Sequence, residues 1–108
     1  MATQRLKGFQ KRFLRGLAHS LKPVVFVGQK GLTDALTDAL NGALDHHELI
    51  KVKFVDFKEK QKKLALAEQI EEAVGCETVA MVGHMITFYR PQRDTKKRKI
   101  KLPQNDER

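Results

Sequence analysis

The stretch Val24-Val25-Phe26-Val27-Gly28-Gln29-Lys30-Gly31-Leu32-Thr33-Asp34 joins a run of apolar β-formers to a helical pattern through a G-x-x-G turn. Four such residues in a row predict a short strand, 24–27, that is covered on both of its faces. The apolar residues after the turn repeat with the period of a helix. Two glycines three apart let the backbone bend sharply and approach another molecule closely. We expect the rest of the chain to be organised around this turn.

The turn itself has the chemistry of an anion site. It consists of Gly28, Gln29, Lys30 and Gly31, and it contains no carboxylate. The helix that follows leaves its first N–H groups without partners inside the helix, and such a helix start suits a phosphate. Taken alone, the G-x-x-G spacing is weak evidence, because it is more often a plain strand-to-helix turn. The interpretation therefore depends on the charges around it.

The charges are segregated along the chain. Residues 1–33 hold seven Lys or Arg and no acid, residues 34–89 hold six bases and ten acids, and residues 90–108 hold eight bases and three acids. The net charge of +8 therefore comes from the two ends, while the middle is acidic. This distribution favours a polyanionic partner, and the sugar-phosphate backbone of a nucleic acid is the leading candidate.

Length and cysteine content bound the class of protein. A chain of 108 residues suits one domain with one modest core. The single cysteine, Cys76, excludes an internal disulfide framework and fits a reducing compartment, where we expect it to be a small core residue. No apolar run is long enough to span a membrane, and no secretory signal is recognisable. We therefore expect a cytoplasmic location.

The first predicted helix, residues 4–21, is amphipathic. Its basic side carries Lys11, Arg12, Arg15 and Lys22, beside the predicted strand. A core-packed helix with a solvated basic face, a membrane-surface or partner-binding helix and an organelle transit peptide are the three interpretations. We keep it within the fold because two Phe and four Leu can cover a small sheet. This apolar face is Leu6, Phe9, Phe13, Leu14, Leu17 and Leu21.

The later pattern predicts two more helices and three more strands. A helix over 33–47 and a strand over 49–55 come first, and Asp56 with Glu59 suggests a capping box for a third helix that ends at Gly75. Two strands, 78–82 and 85–90, are joined by Gly83-His84, as in a type II′ hairpin. The predicted fold is a single α/β domain, α-β-α-β-α-β-β, with a mixed four-stranded sheet whose first two strands are parallel.

A secondary phosphate contact is predicted where lysines crowd the start of the third helix, an arrangement that the helix dipole disfavours. A solvated charged face explains these lysines equally well. The predicted group is Lys58, Lys60, Lys62 and Lys63, with Arg90 at the end of the last predicted strand.

Three features are assigned no special role. The adjacent His46 and His47 have no further ligand at metal spacing, so no metal site or cofactor is predicted. Tyr89 and the phenylalanines are explained as core, without an aromatic platform for bases. Residues 92–108 are predicted to be a basic flexible tail beyond a domain of residues 1–91, adding affinity for nucleic acid without sequence choice.

These motifs together resemble one known family. The succession comprises Leu17-Ala18-His19, Leu21-Lys22-Pro23-Val24-Val25, Gly28-Gln29-Lys30-Gly31-Leu32-Thr33, His46-His47-Glu48-Leu49-Ile50-Lys51-Val52-Lys53, Gly83, Tyr89-Arg90-Pro91 and Lys99-Ile100-Lys101-Leu102-Pro103. It is similar to the bacterial YhbY family of stand-alone CRM domains and spans nearly the whole chain.

The resemblance carries several expectations. It implies a fold like the C-terminal domain of bacterial translation initiation factor three. It also implies RNA binding through the G-x-x-G loop and neighbouring basic residues of the first helix, and association with precursors of the large ribosomal subunit. The lysine-rich start of the third helix departs from the family pattern.

Two other functions remain as alternatives. A small basic nuclease would need a catalytic constellation, and the sequence has no P-loop, no H-E-x-x-H, no nucleophile elbow and no acids placed to hold Mg²⁺ beside the turn. A membrane-surface or protein-interaction module would use the first helix. We therefore predict a binding protein that is not an enzyme.

Overall fold

The domain is a four-stranded mixed sheet with helices on both faces. A computed structural model describes residues 5–104. Its elements are α1 (Gly8–Ala18), β1 (Pro23–Val27), α2 (Asp34–His47), β2 (Leu49–Phe54), α3 (Lys60–Val74), β3 (Glu77–Val82), β4 (Met85–Tyr89) and a short 3-10 turn (Thr95–Lys97). The strand order is β1-β2-β4-β3, with β1 parallel to β2 and the other two pairings antiparallel. The predicted fold class is confirmed.

Two helices begin later than the sequence suggested. The first covers 8–18 instead of 4–21, and residue 4 lies outside the described residues. The third begins at Lys60, because Glu59 is its N-cap residue and the Glu59 carbonyl accepts the bond from Lys63 N. Residues 56–59 are therefore part of the connection between β2 and α3, and Asp56 does not cap the helix. This leaves the Asp56 carboxylate close to the G-x-x-G loop.

The main core lies between the sheet and the helices α2 and α3. Alternate residues of the strands, such as Val25, Val52 and Phe88, point to this side and are buried. Cys76 is partly buried against the same cluster, and desolvation by burial raises the pKa of its thiol from 9.0 to about 12. We call this side of the sheet the inner face and the opposite side the outer face.

Only part of the outer face is covered. Leu14 and Ala18 of α1 pack on a second cluster of Leu49, Val79 and Tyr89, which leaves the β1 end of the sheet open. The prediction that the first strand is covered on both faces is therefore wrong. Its burial alternates, and Phe26 is 57% exposed on the outer face. The run of apolar residues suggested cover on both faces, but β1 is an edge strand with one open face.

The segment after β4 is held by a buried carboxylate. Glu48 lies between α2 and β2 with φ +65° and no exposed surface. Its Oε1 accepts hydrogen bonds from Lys99 N at 2.8 Å and Ile100 N at 3.0 Å, and its Oε2 accepts one from Gln92 N at 2.8 Å. Ile100 also packs against the second cluster, which Leu14 and Ala18 form with residues of the outer face.

The sequence suggested a flexible tail over residues 92–108, whereas the structure holds part of this segment through these contacts. A run of lysines and arginines carries no apolar periodicity, so the pattern gave no sign that backbone N–H groups of the segment would bind a distant carboxylate. The contacts concern residues 92–104, and residues 105–108 lie outside the described part. The domain boundary at residue 91 remains a prediction.

Candidate nucleic-acid interface

The G-x-x-G loop projects from the end of β1. Gly28, Gln29 and Lys30 are exposed, and the turn is closed by a hydrogen bond from Gly31 N to Gly28 O at 3.1 Å. Gly31 has φ +68°, a conformation that other residues adopt only with strain. The loop is therefore accessible, as a ligand-binding turn must be, and its shape depends on the second glycine.

The start of α2 is capped by its own chain. Thr33 Oγ1 accepts a hydrogen bond from Leu36 N at 3.1 Å, and Asp34 adds an acid to the first turn. The sequence predicted that the first helical N–H groups are open to an anion. The cap removes one of these N–H groups, that of Leu36, from the candidate site.

A carboxylate that the sequence analysis missed lies beside the loop. A Cβ atom added at Gly28 would be 3.7 Å from Asp56 Oδ2. Asp56 follows β2, so its proximity arises from the parallel pairing of β1 with β2 and has no local signal. One side of the loop is therefore acidic, and an anion would approach from the side of Lys30.

The cations of the first helix lie in a different place from the loop. Arg12 and Arg15, with His19, line an open groove over the outer face. No residue of the G-x-x-G loop lines this groove. Lys22 is exposed just before β1, and a five-residue strand of roughly 17 Å separates it from the loop. Lys11 is half-buried. The basic residues of the first helix therefore do not surround the loop as expected.

Sequence reasoning missed a further cation in the groove. Lys51 of β2 lines it together with Thr87 and Met85 of β4. The alternation of side chains in β2 puts Lys51 and Lys53 on the same side of the strand. This alternation is the sequence signal that could have identified Lys51 as a candidate contact. Among residues 5–104, those that line the groove include no Asp or Glu. Its electrostatic character is therefore cationic.

The predicted secondary contact is divided by the structure. Lys58, Lys60 and Lys62 are exposed, and Lys62 makes a weak, solvent-exposed ion pair with Glu59 at 3.8 Å. Lys63 is buried instead, and its Nζ donates to Gly83 O at 2.7 Å, which ties α3 to the β3–β4 hairpin. Because that ammonium group is used within the fold, we withdraw Lys63 from the set of RNA contacts.

Arg90 also has a structural role. Its guanidinium donates to Asn41 Oδ1 at 2.8 Å, to Val74 O at 2.7 Å and to Asp45 Oδ1 at 2.7 Å. These bonds join α2 and the end of α3 to the end of β4. The expectation that Arg90 contacts RNA is therefore corrected, since both terminal nitrogens of its guanidinium donate inside the domain.

Two features of residues 5–104 bear on other classes of function. No helix there is long and apolar enough to cross a membrane. The same residues contain no group of three or more His, Cys, Asp or Glu placed to hold a metal ion. The rings of His46 and His47 contact each other edge to face, with 4.6 Å between their centroids.

The fold and this surface define a small α/β domain with a glycine-flanked loop and a cationic groove. Residues 6–90 match the CRS1 / YhbY (CRM) domain. An RNA-binding protein of Haemophilus influenzae is 42% identical over 94 residues, which cover 87% of this chain and 91% of that protein. Probable RNA-binding protein YqeI of Bacillus subtilis is 36% identical over 98 residues, covering 91% and 99%. The chain therefore belongs to the CRS1 / YhbY (CRM) domain family.

A solved structure supports the same assignment. A hypothetical protein of Staphylococcus aureus, studied in solution and described as an RNA-binding candidate, superimposes with a TM-score of 0.78. The two chains are 35% identical, and the match covers 92% of this chain and 100% of that one. The domain architecture is therefore shared by a bacterial relative of similar extent.

Proposed function

We propose that this protein binds RNA and catalyses no reaction on it. The observation that carries the proposal is the exposed loop from Gly28 to Gly31, with a cation at its tip, in a chain whose positive charge is concentrated at its ends. The relatives named as RNA-binding proteins support RNA over DNA as the partner. Backbone N–H groups of such a loop can grip the sugar-phosphate chain, as the G-x-x-G loop of KH domains does.

The proposed contacts fall into three groups of cations. Lys30 serves the loop, while Arg12, Arg15 and Lys51 attract the strand toward the groove on the outer face. Lys11 and Lys22 add positive charge around α1. The exposed lysines of the β2–α3 region, Lys58, Lys60 and Lys62, provide a secondary contact. These groups act mainly through the phosphates, so they set affinity and orientation more than sequence choice.

The proposed partner is ribosomal RNA within precursors of the large subunit, and the role is assistance in ribosome maturation in the cytoplasm. The family resemblance supports this part of the proposal. Crosslinking the protein to RNA in cells, followed by sequencing of the bound RNA, should enrich large-subunit precursor segments over messenger RNA. Equal recovery of all cellular RNAs would contradict the ribosomal assignment but would leave RNA binding intact.

The loop is tested by exchanging Gly28 for aspartate. We expect Gly28→Asp to weaken RNA binding about tenfold or more, because a second carboxylate beside Asp56 repels phosphate. Gly28→Ala is the matched control, since φ at Gly28 is not positive and an added Cβ meets nothing closer than 3.7 Å. Gly31 is less suitable because its φ of +68° would strain any replacement.

Fluorescence anisotropy with labelled RNA measures the affinity, and thermal unfolding checks the fold of each variant. Equal binding by Gly28→Asp and the wild type would remove the loop from the interface. The same mixtures, incubated with Mg²⁺, should return the RNA at its original length. Specific cleavage would favour the nuclease alternative instead.

A further inference from the structure

A row of four side chains, three exposed and one half-buried, crosses the outer face beside the G-x-x-G loop. The strand registers place Phe26 next to Lys53, Lys53 next to Met85, and Met85 next to Val82. We call these four residues the open row. They lie on the outer face, and the cluster under α1 lies further along the strands, with Ala80 packed against it. Each strand therefore contributes one side chain to the open row, and the groove beside α1 borders the row at Met85 and Val82.

The open row combines an aromatic ring with positive charge. Phe26 is 57% exposed and Val82 is 76% exposed. Exposed apolar side chains are common singly, and the distinctive feature here is that the exposed ring of Phe26 lies directly beside the cation of Lys53. Lys53 lies within the row, and the cationic groove that contains Lys51 and Arg15 adjoins it through Met85 and Val82.

We propose that the open row is a stacking site for an unpaired base of single-stranded RNA, with the Phe26 ring as the platform and Lys53 and Lys51 holding adjacent phosphates. The proposal rests on the proposed function and extends it from backbone grip to the choice of single strands. Base–aromatic stacking needs a base whose face is free, and duplex bases do not offer one. The expectation that no phenylalanine serves as a platform is thereby revised for Phe26 alone.

Charge and position favour RNA over a protein partner. A protein partner would have to bury or pair Lys53 and Lys51, whereas a nucleic acid supplies phosphates for both. Phe26 is also two residues before Gly28, about 7 Å along the strand, so one RNA strand could pass from the loop to the ring without a break. The groove then continues the cationic path toward Arg15 on α1.

Substitutions of Phe26 distinguish base stacking on the ring from apolar contact that any large side chain could make. The probe is a pool of random-sequence single-stranded RNAs about 12 nucleotides long, compared with a duplex RNA hairpin. We expect Phe26→Leu to weaken single-strand binding by about 5- to 150-fold and Phe26→Tyr to change it less than about twofold, because only the second retains a ring. Hairpin binding should change much less. Leu64→Ala on α3, where Leu64 is 41% exposed, is the control for loss of exposed apolar surface.

A direct signal is available because the chain contains no tryptophan. The indole of a Phe26→Trp variant should be quenched by the single-stranded pool, whereas that of Leu64→Trp should not. Equal affinities of Phe26→Leu, Phe26→Tyr and the wild type, with weak binding by Gly28→Asp, would overturn the stacking site and keep the proposed function. Equal losses in Phe26→Leu and Phe26→Tyr would also overturn it.

Two further results are decisive. If the wild type binds neither RNA probe, the proposed function and the stacking site fail together. If the wild type self-associates, and Phe26→Leu abolishes this association and leaves RNA affinity unchanged, the open row is a protein-docking surface and the stacking site is rejected.

Discussion

Replacing Glu48 with alanine is expected to lower the free energy of unfolding by about 3–5 kcal/mol. The carboxylate is completely buried and accepts three backbone hydrogen bonds from the C-terminal segment. Alanine would leave these N–H donors unsatisfied and would remove the negative charge that holds a strongly basic stretch of chain. Urea unfolding measures the loss.

The matched control is Glu72→Ala. Glu72 is exposed on α3, so its removal should change the free energy of unfolding by less than about 0.5 kcal/mol. A second variant, Glu48→Gly, relieves the positive φ but also loses the carboxylate, and should remain strongly destabilised. A loss below about 1 kcal/mol in Glu48→Ala would contradict the role of the three hydrogen bonds.

Raising the salt concentration from about 50 to about 200 mM is expected to weaken RNA binding by about 10³- to 10⁵-fold, if about six to ten phosphates are neutralised. The exposed lysines and the groove cations are sufficient in number for this. Binding isotherms over a salt series give the slope of log affinity against log salt concentration. A flat response would contradict phosphate-dominated binding.

Single substitutions show which residues contribute to the slope of log affinity against log salt concentration. Lys30→Gln should reduce its magnitude by about 1, because it removes one phosphate contact. Lys63→Met is the control, since the Lys63 ammonium is bonded to Gly83 O and is withdrawn from solvent. This control should leave the slope unchanged while lowering thermal stability. A reduced slope in Lys63→Met would return that residue to the interface.

The fold could be predicted because its signals are local. Helical periodicity defined α2, and glycines marked the ends of α3 and the hairpin. At the hairpin, Gly83 has φ +60° and His84 does not have a positive φ, which is the pattern of a type II′ turn. The alternation of side chains in β2 also indicated which of its residues share a face. Such features depend on residues a few positions apart.

The features that sequence analysis missed depend on residues far apart in the chain. Glu48 meets Lys99 and Ile100 across 51 and 52 positions, and Arg90 meets Asn41 across 49. A charged residue with a distant partner has the same sequence signal as one in solvent. The prediction for β1 was wrong for another reason. A run of apolar residues occurs both in strands covered on two faces and in edge strands with one open face, so the pattern could not distinguish the two.

The candidate site likewise combines features that local sequence signals predict with features that depend on distant residues. The exposed loop could be found from its glycines, but its acidic neighbour Asp56 could not, since it arrives through strand pairing. Lys51 and Lys53 could be placed on one side of their strand. That this side is partly bare, beside α1, follows only from how far the helix and the C-terminal segment extend over the sheet.

The anchoring of the last residues by Glu48 bears on how the protein can be shortened. A fragment that stops at residue 91, just past the matched family region, lacks Gln92, Lys99 and Ile100 and therefore leaves an interior anion with none of its three amide partners. It also strips Ile100 and Leu102 from the side chains beneath α1. Truncation experiments meant to remove only a basic extension would thus damage the folded body, and a loss of RNA affinity in them could not be attributed to missing charge alone.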